Sequence, residues 1–315
     1  MRVKSLAMVF LAALMAASSA QAQRTAAGPG LESLKLPADK KALLAEAGVD
    51  VTAWIGDANG QAFLERGARD VMPTASAIKA FYLVEFFAKH ADRLDEPLPK
   101  SKDHLTDDHP AVSHFAPDVR EEIRKELTTA SVRRIGLIMQ GRTDVSNAIY
   151  NAAANLVTAD LGGPEKLTAL IHARDPRFKT VAVRRYMLRD RTLPGDNEAT
   201  AEAFAALHQA LSTRKLNGIS DSVMTAVHEV LKRPGSNPPF FYKDGALGSD
   251  PLTSVRAGWK ETPAGPVIFV VMCRQPIRKP ASSPDDYKRI QELSASLRDA
   301  LLATATGKTA EVGTP

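Results

Sequence analysis

The chain has 315 residues, 41 of them basic and 36 acidic, and its formal net charge of +5 falls to +3 when Arg2 and Lys4 are lost with residues 1–22. So small an excess, without aromatic residues interleaved in a basic stripe, argues against a nucleic-acid partner. The remaining length suffices for one large domain or two closely packed lobes, and the single cysteine, Cys273, excludes an internal disulfide.

The first 22 residues predict a secretory signal peptide. Arg2 and Lys4 give the positive start, residues 7–17 are apolar, and Ala20-Gln-Ala22 supplies the small residues of a cleavage site. No later run reaches the roughly 18 apolar residues that a membrane span needs. We therefore expect a secreted or periplasmic protein with no membrane span after processing.

The predicted elements begin with a helix over residues 34–47 and continue with a hairpin, because Asn59-Gly60 is typical of a tight turn between strands. Helical patterns dominate from Ser76 to about Leu231, and strands return from Lys243. In chain order the pattern predicts strands over 51–55 and 62–65, helices over 76–88, 119–128, 132–139, 146–161, 164–172 and 198–211, strands over 254–259 and 266–272, and a helix over 285–303.

Two strands near the start and two or three near the end bracket the helical middle, and such strands can pair in one antiparallel sheet. We expect an α/β (α+β) fold in which the terminal helices flank the sheet beside an all-helical lobe. The predicted domain covers residues 31–303, with a sheet lobe over 31–72 and 240–303 and a helical lobe over 73–239. Residues 304–315 are predicted to form a disordered tail.

Ser76 and Lys79 form a Ser-Xaa-Xaa-Lys tetrad at the start of an almost wholly apolar segment, residues 80–88. Positions three apart share one face of a helix, so the hydroxyl and the amine can meet. An apolar helix must be buried, and burial lowers the pKa of a lysine until its neutral amine can accept the serine proton. The spacing predicts a nucleophile, against the alternative of an N-cap serine followed by a lysine that reaches the surface.

The same spacing recurs at Ser212 and Lys215, just before Asn217-Gly218. There a polar-faced helix ends, so the lysine should be solvated and charged. We interpret this second tetrad as a helix end.

Further segments in the same order resemble the class A β-lactamases and their penicillin-recognising relatives. Pro73 precedes the tetrad, residues 151–156 read Asn-Ala-Ala-Ala-Asn-Leu, and residues 161–169 read Leu-Gly-Gly-Pro-Glu-Lys-Leu-Thr-Ala. These resemble the family's Asn-Thr-Ala-Ala-Asn-Leu, Ile-Gly-Gly-Pro and Leu-Thr. Residues 193–200 resemble the stretch after the family's omega loop, and Lys243-Asp-Gly245 resembles its Lys-Thr-Gly.

The resemblance implies a role for each matching residue. Ser76 would attack a carbonyl while Lys79 takes its proton, and the backbone N–H of Ser76 with one near Leu247 would stabilise the oxyanion. Lys243 would hold positive charge for a substrate carboxylate, and the strand after Gly245 would run alongside the substrate. The implied substrate-binding residues are Asn147, Asn151, Lys243, Gly245 and Arg256, although an exposed strand arginine accounts equally well for Arg256.

The family's Ser-Xaa-Asn motif has no clear equivalent. Alignment on Asn151 without gaps places Ile149 at its serine, and an isoleucine can move no proton. We expect Ser146, with Asn147, to fill the motif, and Tyr150 is a further candidate. The alternative for Ser146 is a helix cap.

The segments that correspond to the family's omega loop and Lys-Thr-Gly motif differ further from the family pattern. No glutamate lies between Glu165 and Glu198, and the position of the family's deacylating glutamate falls near Tyr186. Asp190 is a candidate helper, although an aspartate between two arginines is more simply explained by ion pairing. Asp244 replaces the motif's threonine and puts negative charge where a carboxylate is expected, unless it points elsewhere.

The sequence therefore predicts an exported serine hydrolase of the class A β-lactamase type with Ser76, Lys79 and Ser146 as catalytic residues. Its substrate would be a small molecule, a β-lactam or a cell-wall peptide-like compound, and we expect a monomer without cofactor or metal. The alternatives are an esterase or D-Ala-type peptidase with poor lactam turnover, or a binding protein without catalysis.

Overall fold

The computed structural model describes residues 30–46, 48–190, 192, 195–276 and 284–307. The predicted signal peptide, Ala47 at the end of the first predicted helix, Leu193 and Pro194, and residues 308–315 of the predicted tail lie outside them. The described helices are α1 (Ala38–Ala45), α2 (Lys79–Lys89), α3 (Pro117–Leu127), α4 (Val132–Gln140), α5 (Asn147–Asp160), α6 (Pro164–Arg174), α7 (Ala201–Ser212), α8 (Asp221–Leu231) and α9 (Pro284–Ala305). The strands are β1 (Asp50–Asp57), β2 (Ala62–Arg66), β3 (Met72–Pro73), β4 (Glu198–Ala199), β5 (Phe240–Leu247), β6 (Leu252–Lys260) and β7 (Val267–Gln275).

One five-stranded sheet joins the two ends of the chain, in the order β2-β1-β7-β6-β5. Every neighbouring pair is antiparallel, and β1 meets β7 with Ala53 opposite Val271. This confirms the expected pairing of strands from the start and end of the sequence. It also makes β5, which begins just before Lys243, an edge strand.

The sheet is buried on both faces, because successive side chains of a strand point to opposite sides. Along β7, Val271 and Cys273 enter a core with α9 and the segment around α1, whereas Val270 and Met272 enter the core of the helical block. All four side chains are fully buried. Cys273 is thus the small core residue expected from its apolar neighbours, and burial raises the pKa of its thiol to about 12.

The first, seventh and eighth helices differ from the prediction. The seventh was expected from Glu198 but begins at Ala201, because Glu198 and Ala199 form β4 and pair with β3. The first was expected from residue 34 but begins at Ala38, because Pro37 is an extended N-cap and the residue before a proline avoids helical angles. The eighth, capped by the Ser220 hydroxyl, was included in the helical block without bounds of its own. Among the helices that the structure describes, none combines the length and apolarity required to cross a membrane.

Candidate active site

Ser76 lies in a 3-10 turn, Ala75–Ile78, that runs directly into α2. The preceding residues are fixed to the other side of the pocket: β3 pairs with β4, and the backbone and side chain of Thr74 both donate to the carbonyl of Asn197 at 2.9 Å. Ala75 has a left-handed φ of 47°, which is strained for a residue with a Cβ. This strained turn leaves Ser76 half-buried in the pocket wall.

Lys79 is completely buried one turn along from Ser76. Its Nζ donates to Asn151 Oδ1 at 2.9 Å and lies 3.3 Å from the centre of the Tyr150 ring. The pKa of Lys79 is lowered to about 7, mainly by burial and in part by the nearby charge of Lys243, against an opposing effect of Tyr150. A substantial fraction of neutral amine is therefore present near neutral pH.

Two lysines, Lys79 and Lys243, both contact Tyr150. Lys243 Nζ donates to its hydroxyl at 2.8 Å, and the Ser76 side chain interacts with the same hydroxyl. Burial alone raises the pKa of Tyr150, but the charges of Lys79 and Lys243 and the hydrogen bonds of Lys243 and Ser76 outweigh it and lower the pKa to about 7. Sequence reasoning left Tyr150 as an alternative and favoured Ser146.

The structure places Ser146 away from Ser76 and Lys79. It is the exposed N-cap of α5, its hydroxyl accepts from the backbone of Ile149 at 3.3 Å, and it does not line the pocket. Asn147 does line the pocket and accepts from Asn151 Nδ2 through its side-chain oxygen at 3.0 Å. Asn151 in turn contacts Lys79, so the helix reaches the site through Asn147, Tyr150 and Asn151.

Gly245 brings the edge strand against the nucleophile. A Cβ at this glycine would lie 2.6 Å from the backbone nitrogen of Ser76 and 2.4 Å from that of Ala77. Any larger residue would push β5 off the turn. The close approach puts β5 beside the Ser76 backbone nitrogen, and Leu247 at the end of the strand lines the same pocket.

Lys243 and Arg256 are both engaged by groups of the protein. Lys243 Nζ donates to Tyr150 and to the carbonyl of Gln140 at 3.2 Å, and Lys243 is buried behind Tyr150 rather than in the pocket lining. Arg256 lines the pocket but forms an ion pair with Asp244 at 2.6 Å. The positive charge of Arg256 on β6 is thus already neutralised by Asp244, the residue that replaces the threonine of Lys-Thr-Gly.

The facing wall is a loop held by buried polar groups. Asn155 accepts from the Met187 backbone N–H and donates to the Met187 carbonyl at 3.1 Å, while Arg185 pairs with Asp196 at 2.9 Å. Tyr186, at the position expected for the deacylating glutamate, is buried. Asp190 lines the pocket and accepts from the backbone of Thr192 at 2.8 Å. No glutamate is among the described residues of the lining.

The pocket between these walls has a volume of about 630 Å³, which suits a small molecule. The site combines the hydroxyl of Ser76, the buried amine of Lys79 and the edge strand β5. Among the described residues no group of three His, Cys, Asp or Glu side chains is placed to hold a metal ion. The arrangement can perform nucleophilic attack on a carbonyl with side chains alone.

Comparison with known proteins gives a single family. The model of a family described as the beta-lactamase enzyme family matches residues 35–301. No curated protein matches the chain.

Solved structures share the fold. The TLA-1 extended-spectrum beta-lactamase superimposes with a TM-score of 0.62 at 15% identity, over 84% of this chain and 96% of that chain. A beta-lactamase from Sphaerobacter thermophilus DSM 20745 gives 0.60 at 19% identity, over 86% and 96%. One from Chitinophaga pinensis DSM 2588 gives 0.60 at 15%, over 81% and 93%. Identities this low establish the fold alone.

Proposed function

Because the chain belongs to the beta-lactamase enzyme family, we propose that it is an exported serine hydrolase that acylates Ser76 with a β-lactam or a related amide or ester. One observation carries the proposal: Lys79 is fully buried and lies one helical turn along the chain from Ser76. Burial lowers the pKa of Lys79 to about 7, so its neutral form is available to activate serine.

In the proposed acylation, the Ser76 oxygen bonds to the substrate carbonyl carbon and the carbonyl oxygen becomes an oxyanion. Backbone N–H groups of Ser76 and Leu247 stabilise that charge. The substrate lies along β5, where Gly245 allows the strand to approach the nucleophile. The neutral amine of Lys79 takes the serine proton; when the tetrahedral intermediate collapses, the bond from carbon to the leaving nitrogen or oxygen breaks and the proton passes from Lys79 to that atom. Asn147 and Asn151 bind the substrate from α5.

Hydrolysis of the acyl-enzyme is the slow half of the proposed reaction. The lining, within the described residues, offers no glutamate to activate water, and Asp190 is engaged by Thr192. The Asp244–Arg256 ion pair leaves little positive charge on β6 for a carboxylate. These two observations favour, as a second candidate, an esterase or D-Ala-type peptidase with poor lactam turnover.

Intact-mass spectrometry after incubation with benzylpenicillin tests the proposal. We expect a mass increase of one penicilloyl group that persists well beyond the acylation time, and loss of this adduct in Ser76→Ala. Ser212→Ala is the matched control, because Ser212 has the same spacing to Lys215 but its hydroxyl donates to the Gln209 carbonyl at the end of α7. Adduct formation or ester hydrolysis at full rate in Ser76→Ala would refute the mechanism. If the wild-type protein forms no adduct and hydrolyses no ester, the result would contradict the enzyme proposal and favour the alternative of a binding protein without catalysis.

Export is tested on the mature protein. Cleavage after Ala22 predicts that the first residue of the exported chain is Gln23. N-terminal sequencing of protein recovered from the periplasm or medium measures this directly. A chain retained in the cytoplasm with Met1 intact would contradict export.

A further inference from the structure

We propose that the protein has a second binding site, separate from the pocket of Ser76, that binds the phosphate group of a multiply charged anion. The site is a cleft of about 470 Å³ at the start of β5, which we call the basic cleft. Its lining consists of residues 233–238, Phe240, Lys260, Arg298, Asp299 and Leu302. The described lining of the pocket of Ser76 includes none of them, so this inference goes beyond the proposed acylation and does not depend on it.

Three cations from three parts of the fold line the basic cleft. Arg233 follows α8, Lys260 ends β6, and Arg298 lies on α9. Within the described lining Asp299 is the one acid, so cations outnumber acids three to one. The pocket of Ser76 differs, because three arginines in its described lining are matched there by three aspartates. The excess of positive charge is therefore specific to the basic cleft.

Two of the three cations have no acidic partner. Arg233 and Lys260 form no ion pair with any residue that the structure describes, and Glu261 beside Lys260 accepts from a tryptophan indole N–H at 2.9 Å. Arg298 donates through Nε to Asp299 at 2.8 Å, which leaves both of its Nη groups without a hydrogen bond to a described residue. Like charges around one cleft repel each other, and an anion bound between them removes that repulsion.

The basic cleft also withdraws two of its cations from solvent. Lys260 is half-buried, and the side chain of Arg298 is 19% exposed. Because water and salt screen exposed charges most strongly, cations in a concave and partly buried site attract an anion more than cations on a convex surface do. Asn237 adds a carboxamide to the same lining. The cleft thus offers charged and neutral hydrogen-bond donors to one ligand.

The loop that carries Arg233 has a fixed shape. The backbone N–H of Arg233 donates to the carbonyl of Phe240 at 2.7 Å. Ser236 Oγ donates to the carbonyl of Arg233 at 2.8 Å and accepts from the backbone N–H of Phe240 at 3.1 Å. Lys232 and Phe241 form an isolated bridge at the base of the loop. A loop held in this way loses little conformational freedom when a ligand binds, which favours affinity.

Apolar side chains complete the basic cleft. The ring of Phe240 is half-buried and stacks on Phe269 with the ring centres 5.4 Å apart, and buried Leu302 lines the same space. Arginine and lysine bind phosphate because their N–H groups are charged donors. Charged donors beside an apolar surface suit a phosphate group that is attached to a carbon skeleton. A soluble phosphate compound and a lipid headgroup share this chemistry.

Isothermal titration calorimetry of the full-length chain with sodium pyrophosphate tests the site. We expect one pyrophosphate per chain, and an affinity that falls about 10-fold in Lys260→Gln and in Arg233→Gln, because each substitution removes one charged donor. A wild-type protein that binds no pyrophosphate would overturn the proposal.

Lys232→Gln is the matched control for these variants. Lys232 is exposed and adjacent to Arg233 in the chain, but it is not in the described lining. The substitution changes the net charge by the same amount as Lys260→Gln, and we expect the affinity for pyrophosphate to stay at the wild-type value. A loss as large as that in Lys260→Gln would assign the binding to the overall charge of the chain and overturn the proposal.

Asp299→Asn should change the affinity in the opposite direction. It removes the acid of the described lining and the carboxylate charge that competes with the anion for Arg298. We expect pyrophosphate to bind about 3-fold more tightly, a gain that a folding defect does not produce. Weaker binding in Asp299→Asn would place the anion outside the basic cleft.

Cosedimentation with vesicles separates the two sources of phosphate. Phosphatidylglycerol vesicles present an anionic headgroup, and phosphatidylcholine vesicles are the comparison without net charge. Binding to phosphatidylglycerol that pyrophosphate displaces and that Lys260→Gln weakens would identify a lipid headgroup as the ligand. Pyrophosphate binding without vesicle binding would identify a soluble phosphate compound. Vesicle binding by a wild-type protein that has no pyrophosphate site would overturn the proposal.

Ser76→Ala keeps this proposal apart from the proposed acylation. We expect the variant to lose the penicilloyl adduct and to bind pyrophosphate with wild-type affinity. A wild-type protein that binds pyrophosphate but forms no adduct contradicts the acylation alone. A protein that is acylated at Ser76 but binds no pyrophosphate contradicts the basic cleft alone.

Discussion

Lys79 is the residue whose protonation decides when Ser76 can react. Its pKa is lowered to about 7 mainly by burial, so its ammonium form dominates in acid and its neutral form above neutrality. We expect the acylation rate to rise about 10-fold per pH unit up to about pH 7 and then to level off. Stopped-flow acylation from about pH 5 to about pH 9 measures this, and a flat rate across that range would rule out a buried base.

The same shift affects stability, with a defined sign. In the unfolded chain a lysine keeps its proton up to about pH 10.4, whereas folded Lys79 loses it near 7. Between these values the unfolded state binds more protons, so this group makes the free energy of unfolding rise with pH. Below about pH 7 that gain is absent. Lys79 therefore lowers stability in acid, as a catalytic group held in an unfavourable environment should.

Asp244 sets the charge at the substrate end of β5. Its ion pair with Arg256 neutralises a cation of the lining, so removal of the carboxylate charge should favour anionic substrates. We expect Asp244→Asn to raise kcat/KM for benzylpenicillin about 5-fold relative to a neutral p-nitrophenyl ester, which corresponds to about 1 kcal/mol. Steady-state kinetics with both substrates measures the ratio.

Asp50→Asn is the control for Asp244→Asn. Asp50 pairs with Arg274 at 2.8 Å in the same cross-strand arrangement, on β1 and β7 and outside the pocket lining. An unchanged substrate ratio is expected there. A ratio that stays at the wild-type value in Asp244→Asn as well would show that Arg256 does not contact the substrate carboxylate.

At the level of single residues, the sequence predicted the Ser76–Lys79 pair because helical spacing fixes which residues share a face. The second motif was harder, since the serine, isoleucine and tyrosine at the start of α5 point in different directions that depend on where the helix begins. Ser146 turned out to be the residue before the first turn, which explains its capping hydrogen bond. Asn151, which was aligned with the family through the segment Asn-Ala-Ala-Ala-Asn, lies beside Lys79.

The contact between β5 and the 3-10 turn is the element-scale feature on which the pocket depends. Gly245 allows it, and a Cβ there would clash with the backbone of Ser76 and Ala77. Since backbone cannot yield as a side-chain tip does, we expect Gly245→Ala to lower the free energy of unfolding by about 2 kcal/mol and to slow acylation at least about 10-fold. Urea unfolding and adduct formation measure the two effects.

Gly248→Ala is the comparison for that strand. Gly248 also lines the pocket, but the nearest group to a Cβ there is the Tyr287 ring at 3.7 Å, an ordinary contact. Its stability should remain within about 0.5 kcal/mol of wild type. Equal destabilisation in both variants would assign the loss to replacement of a glycine as such and not to the close approach of β5 at Gly245.

Elements with strong local signals were predicted well. The Asn-Gly turn predicted the hairpin of β1 and β2, and the apolar run predicted α2, because both signals depend on short-range geometry. The order of strands in the sheet required a further assumption about pairing across the chain. Local sequence contains no signal for the approach of β5 to Ser76 except the glycine itself, so the sequence predicted this approach only through the resemblance of Lys243-Asp-Gly245 to Lys-Thr-Gly.

For the whole molecule, the sheet is the layer that both hydrophobic cores share. Val270 faces the helical block and Val271 faces the terminal helices, and both are fully buried. Chains of this size often unfold through intermediates, with one part lost before another. Here neither core can lose its side of β7 without disturbing the strand that supports the other. We therefore expect one cooperative transition rather than separate unfolding of a sheet lobe and a helical lobe.

Val271→Ala tests that cooperativity. Both tryptophans, Trp54 and Trp259, belong to the core on the opposite face, so their fluorescence reports on the helical side only. Removal of two buried methyl groups should cost about 2 kcal/mol. We expect the urea midpoint to fall equally by tryptophan fluorescence and by far-ultraviolet circular dichroism, and Val270→Ala to give the same pair of shifts. A variant at Val271 that moved the dichroism midpoint and left the fluorescence midpoint in place would instead show two independently unfolding lobes, because the loss of packing beside α9 would then have no route to the tryptophans across the sheet.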